Sequence, residues 1–303
     1  MSTVHPASTE AGVDRVPAPL LFVASGLTQY LGAAIAVGLF AVVPAATLAW
    51  LRVAVAAVVL GLWRRPWRTR WTRAELGMAA VFGVVLALMN VSFYVAIDTL
   101  PLGTAVAIEF IGPVAVAAVT GRSLRERGAI AVAAVGVVLL AGVSLDAGPG
   151  AERGLVAIGI AAACWAGYIL LGRRVSLQGG QGGGVTSLAV AMAAGALVLA
   201  PFLAGRAGPV LVDARLALLV VAIAVLSSVV PYAIEQVVLR RVTSATFAVL
   251  LAMLPATAAV VGAVVLRQWP HGLELVGLAL VSVAIVLSSG RRGTPPPGDV
   301  TPS

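Results

Sequence analysis

An acid and a helix breaker share one apolar stretch. Within Thr104 to Val119, TAVAIEFIGPVAVAAV, Glu109 is the single ionisable group and Pro113 follows four residues later. Pro113 has no N–H, so it cannot bond the carbonyl four residues back, and that carbonyl belongs to Glu109 itself. Carboxylate and freed carbonyl stand together, an arrangement able to hold a proton or a cationic group. Neither is stable against hydrocarbon, so this turn must face protein or water. Arg52, in ATLAWLRVAVAAVV, is a second charge in apolar surroundings, and a guanidinium there can pair with a carboxylate. Asn90, in VLALMNVSFYVAI, is an amide in a third such stretch.

Groups of this kind need apolar helices to position them. With 60% hydrophobic and 11% charged residues among 303, the chain has too little polar surface to cover a soluble globule. The expected fold is an all-α, polytopic membrane protein. At about 20 apolar residues per spanning helix, ten spans begin near Leu20, Pro44, Leu76, Leu102, Gly128, Leu155, Gly184, Leu216, Ser244 and Leu273.

The net charge of +8 would point to nucleic acid in a soluble protein, but here it reports topology. Lysine is absent. Arg64, Arg65, Arg68, Arg70 and Arg73 follow span two, and Arg122, Arg125 and Arg127 follow span four. Arg173 and Arg174 follow span six, Arg240 and Arg241 span eight, and Arg291 and Arg292 span ten. With Arg15 in the amino-terminal tail, these are 15 of the 20 arginines, all on one side of the ten-span reading. Arg153, Arg206, Arg215 and Arg267 lie opposite. The positive-inside rule then predicts that both termini are cytoplasmic. The polar tails, residues 1–19 and 291–303, have the composition of disordered ends. The one cysteine, Cys164, falls within span six, where it is expected as a small buried hydrophobe.

The segment TAVAIEFIGPVAVAAV returns as TFAVLLAMLPATAAVV from Thr246. An offset of 142 residues superposes Thr104 on Thr246, Pro113 on Pro255 and Ala117 on Ala259. These are spans four and nine of two five-span halves, residues 20–145 and 146–290. An odd number of spans makes the halves enter the membrane in opposite senses, so they are expected to be inverted repeats. That architecture suits alternating access around a midplane site. Pro113 and Pro255 become paired weak points, and both are also compatible with kinks tolerated through neighbouring helices. Pro231 frees the carbonyl of Ser227 in span eight and adds a third break.

At 1.5 Å per residue, Glu109 lies roughly 10–12 Å below the outer surface, and Arg52 and Asn90 lie at similar depth. Lone charges there are costly, so an Arg52–Glu109 contact is a natural expectation, serving either a substrate or proton site or a static pair between spans two and four. Gln29, Tyr30, Trp165 and Tyr168 fall near the mid-depth of spans one and six. Such aromatics pack against neighbours, and their polar tips also suit a small polar solute. Glu235 is placed nearer the cytoplasmic end, within reach of Arg240.

Without lysine there is no GxxxxGK phosphate loop and no serine–lysine dyad. His5 and His271 lie in a tail and a loop, so no HExxH zinc site falls within the membrane. Asp98 and Asp146 lie near helix ends and form no evident aspartyl pair. No TVGYG-like filter and no periodic arginine series occurs. The sequence therefore predicts neither an enzyme nor a cofactor, no nucleic-acid partner, and a lipid bilayer around it.

The motifs AVAIEFIGPVAVA around Glu109, ACWAGYILLGRR at Ala163 to Arg174 and VLSSVVPYAIEQVVLRRV at Val225 to Val242 resemble the EamA-type transporters of the drug/metabolite transporter superfamily. The resemblance covers nearly all of residues 20–290, and within the superfamily it is nearest the threonine/homoserine exporter branch. It implies a ten-helix inverted-repeat protein of the bacterial inner membrane that exports small amino acids or related metabolites, coupled to protons. Two departures stand out: Leu254 precedes Pro255 where similar exporters often have glutamate, and Arg267-Gln268 replaces a frequent Gly-Glu. Glu109 is left as the main deep acid, alternately binding a proton or an ammonium, with Arg52 or a free helix amide receiving a carboxylate. The alternatives are other small metabolites or drugs carried without proton coupling, and a membrane scaffold or sensor that transports nothing.

Overall fold

Prolines and capping side chains set where the helices begin. In the computed structural model, which describes residues 16–120, 123–146, 150–177, 183–231, 234, 238 and 250–288, Pro17, Pro44 and Pro101 each sit at a helix N-cap with an extended ψ of 136° to 140°. An amino-terminal position needs no N–H donor, so proline costs nothing there. They start α1 (Ala18–Leu39), α2 (Ala45–Arg64) and α4 (Leu102–Glu109). Between the latter two, α3 (Arg73–Ile97) opens with a capping box: Thr72 Oγ1 accepts from the Glu75 amide, and the Glu75 carboxylate accepts from the Thr72 amide. Arg65 ends α2 in the left-handed region, φ 49°.

The remaining helices are α5 (Ile111–Thr120), α6 (Leu124–Asp146), α7 (Ala151–Leu177), α8 (Gly183–Leu203), the short α9 (Gly208–Val212), α10 (Ala214–Ala224), α11 (Met253–Leu266) and α12 (Leu273–Ser288). Asp213 caps α10 by accepting from the Arg215 and Leu216 amides. Seven stretches are long and apolar enough to cross a bilayer, α4 and α5 together forming one of them. Three shorter apolar helices, Ala214–Val229, Met253–Leu266 and Leu273–Ser288, occupy the places of spans eight, nine and ten. The architecture is that of an all-α polytopic membrane protein. The segment that would complete spans eight and nine falls largely outside the described residues.

Helices from the two halves of the chain pack against one another. α3 lies between α7 and α8, α2 rests on α8, α6 pairs with α12, and α11 crosses both α1 and α4. Small residues permit the closest approaches, as expected where lipid supplies no hydrophobic drive and backbones gain by packing tightly. Gly83 in α3 faces the Ala191 backbone of α8, and Gly103 in α4 faces Ala259 in α11, with no room at either for a Cβ. Trp50 of α2 donates its indole N–H to the Ala196 carbonyl of α8 at 2.7 Å. Outward-facing apolar side chains such as Val138, Val156, Leu197 and Val264 are at least 64% exposed, which suits contact with lipid.

Three breaks interrupt the helices. Between α4 and α5 only Phe110 leaves the helix, three residues before Pro113. Ala252 does the same before α11, three residues ahead of Pro255. After α10 the chain runs as one π-helical turn, Val225–Val229, immediately before Pro231. Each follows from a carbonyl that proline leaves without its helical donor.

Candidate functional site

The three breaks converge on one cavity of about 370 Å³. It is lined by Gln29, Tyr30 and Ala33 of α1, Arg52 of α2, Met89, Asn90 and Phe93 of α3, Glu109 and Pro113 at the α4–α5 break, and Trp165, Tyr168 and Ile169 of α7. Met192 of α8, Ser227, Pro231, Leu251 and Leu254 complete it. Gln29, Tyr30, Arg52, Asn90, Glu109, Trp165 and Tyr168, identified from sequence by residue type and depth, are thus gathered around one space. Pro113 and Pro231 line it too, while Pro255 is buried within α11 behind Leu254.

Arg52 is 9% exposed and held by neutral partners. Its guanidinium donates through Nη1 to the Tyr94 hydroxyl at 3.2 Å and through Nη2 to Asn90 Oδ1. The Arg52 Cζ stands 5.0 Å from the Tyr94 ring centroid, close enough for a cation–π attraction. Asn90 is itself fixed, because its Nδ2 donates to the Leu86 carbonyl one turn earlier at 2.7 Å. Nε of Arg52 is buried without a hydrogen-bond partner.

The expected Arg52–Glu109 contact is not formed. Both side chains line the cavity, but among the described residues no ion pair joins them. The physical reason lies in α3: Asn90 and Tyr94, four residues apart on one face, hold the guanidinium against their own helix. Glu109 is 8% exposed and closes α4 as its last residue, so its carboxylate borders the cavity at the break. The cavity therefore presents a cationic group and a carboxylate that are not joined to each other.

Aromatic side chains shape the remaining wall. Trp165 meets Phe110 edge-on with ring centroids 4.6 Å apart, and Tyr168 stacks on Phe82 at 4.7 Å. They serve both as packing and as lining. Ser227 in the π turn donates to the Gln29 carbonyl at 3.0 Å and so ties α1 to the third break. Ser228 Oγ beside it is buried without a partner. Leu251, the residue that the 142-residue offset superposes on Glu109, lines the same cavity. Two sequence echoes thus arrive at one site, one acidic and one apolar.

Cys164 is half-buried instead of fully buried, because it lies on α7 beside the exposed Ala163. Tyr94 was missed by depth reasoning, since its ring is wholly buried behind Arg52 and outside the cavity lining. Its position four residues after Asn90 was the available signal. Glu235, Arg240 and Arg241 lie outside the described residues.

The chain is 34% identical over 279 residues to the threonine/homoserine exporter RhtA of Salmonella typhimurium (strain LT2), covering 92% of this chain and 93% of that protein. Residues 152–290 match the EamA-like transporter family. The chain belongs to the EamA-like transporter family. RhtA of Escherichia coli (strain K12) is also 34% identical, over 269 residues, covering 89% of this chain and 90% of that exporter. A solved crystal structure at 20% identity superposes with a TM-score of 0.55 over 89% of this chain and 96% of its own, a likeness of fold alone. As an EamA-like transporter near the RhtA branch, the protein is a multi-pass membrane transporter, and its broken-helix cavity is the candidate solute site.

Proposed function

We propose that this EamA-like transporter exports small amino acids of the threonine and homoserine type across the bacterial inner membrane by proton-coupled alternating access. The observation that carries the reading is the pair of ionisable groups of opposite sign, Arg52 and Glu109, bordering one small cavity with no direct ion pair between them. A free amino acid carries the same two charges, a carboxylate and an ammonium. Arg52 receives the carboxylate, and Glu109 alternates between the ammonium and a proton. The cavity volume of about 370 Å³ lies at the lower end of the range for ligand pockets, roughly 300 Å³ upward. Relatives named as threonine/homoserine exporters support the choice of cargo.

The two five-helix halves, residues 20–145 and 146–290, act in this reading as inverted repeats whose breaks at Phe110 and Ala252 flex in turn. The arginine distribution supports a cytoplasmic location for both termini.

Counterflow of radiolabelled L-threonine and L-homoserine in proteoliposomes tests the cargo. Saturable exchange of either is expected. Exchange of neither, with transport of a solute lacking the amino-acid charges, would replace this cargo with another metabolite.

A further inference from the structure

We infer that Tyr94 and Asn90 are the positioning residues of a carboxylate subsite, orienting Arg52 toward the cavity without neutralising it, so that Arg52 selects cargo by its carboxylate. The inference rests on the amino-acid reading above and extends it to a specificity element.

Three observations support it. Tyr94 is wholly buried and does not line the cavity, so it acts on solute only through Arg52. Both acceptors of the guanidinium, the Tyr94 hydroxyl and Asn90 Oδ1, are uncharged. They fix its direction and add no negative charge of their own. The third is the orphaned Nε, a buried donor on a cavity-lining residue that is itself more than nine-tenths buried. A buried donor without a partner is costly, and a guanidinium has a fork geometry that suits a carboxylate. A solute carboxylate that draws the guanidinium toward the cavity supplies an acceptor and a counter-charge together.

The arrangement behind Arg52 is itself held in place. The Asn90 amide cannot turn without losing its bond to Leu86, and Tyr94 is packed by Phe40 at 6.0 Å and Phe93 at 6.3 Å between ring centroids. Arg52 lines the cavity, which is where a ligand meets it. Removing the Tyr94 hydroxyl loosens Arg52 while leaving the ring, its packing and the cavity wall.

The test compares L-threonine with L-threoninamide, which lacks the carboxylate charge, as competitors for binding to the purified full-length protein. Wild type is expected to prefer threonine by roughly tenfold or more, the size of a charge-assisted hydrogen bond. Tyr94→Phe should reduce that ratio several-fold through the threonine affinity alone. Asn90→Asp supplies Arg52 with a charged partner and should abolish the preference even if Tyr94→Phe folds poorly. Arg52→Gln is the control for the underlying reading. If Arg52→Gln removes the preference while Tyr94→Phe and Asn90→Asp keep it, the positioning role is overturned and the carboxylate reading survives. Equal weakening of both probes by Tyr94→Phe also overturns the positioning role, because it marks a purely structural effect. If Arg52→Gln keeps the preference, Arg52 does not bind the carboxylate and both fall.

Discussion

Phe110 and Ala252 share one backbone conformation at the same step of two helices, φ −63°, ψ −11° at the first and φ −64°, ψ −15° at the second. They stand 142 residues apart, each three residues before a proline. One chain segment continues into Pro113 with Glu109 at the cavity, and the other into Pro255 with Leu251 there. The same break thus occurs twice around one space, with acid on one side only.

The crossing of α4 and α11 makes the first prediction. A Cβ on Gly103 would lie 2.8 Å from the Ala259 Cα, so backbone has to move, whereas one on Gly38 of α1 meets nothing within 4 Å. Gly103→Val should lower stability by about 1–3 kcal/mol. Gly38→Ala should hold or raise it by up to about 1 kcal/mol through helix propensity. Thermal melts of the two purified variants against wild type check the contrast.

The second concerns the start of α4. Gln268 Oε1 accepts from the Leu102 amide at 2.9 Å, satisfying an N-terminal donor across 166 residues of sequence. Gln268→Ala removes that acceptor and should cost about 1–2 kcal/mol, seen as a lower melting temperature. Gln268→Glu retains an acceptor at the same place and should preserve most of the stability.

Much of this site was legible in the sequence because depth along a helix is a one-dimensional quantity. Counting from span ends put Arg52, Asn90 and Glu109 at one level, and the structure gathers them at one cavity. Pro113, Pro231 and Pro255 marked the breaks because a missing N–H is a property of residue type. Side-chain pairing was not legible, since it depends on helix rotation and on rotamers from several elements at once. Arg52 and Glu109 share a level, yet the guanidinium turns to Asn90 and Tyr94. The family resemblance drew attention to Leu254, while the 142-residue offset pairs Glu109 with Leu251, and only the cavity showed that both leucines line it. Gly83 and Gly103 carried no sequence signal among 33 glycines, because their close approaches depend on which helices cross there.

The third prediction is topological. With 15 of the 20 arginines placed on one side of the ten-span reading, that side should be cytoplasmic. Green fluorescent protein fused after Ser303 should fluoresce, and alkaline phosphatase at the same point should be inactive. The reverse pair of results would invert the assigned orientation or change the span count by one.

The central claim is that Glu109 carries the deep acidic chemistry alone, because Leu251 stands at the matching position of the second break. Its most direct test is uptake of radiolabelled L-threonine into proteoliposomes under an imposed pH gradient, with wild type and Glu109→Gln compared at equal reconstitution and equal melting temperature. The gradient should drive wild-type accumulation and have no effect on Glu109→Gln. Gradient-driven accumulation by Glu109→Gln at the wild-type rate would contradict the account.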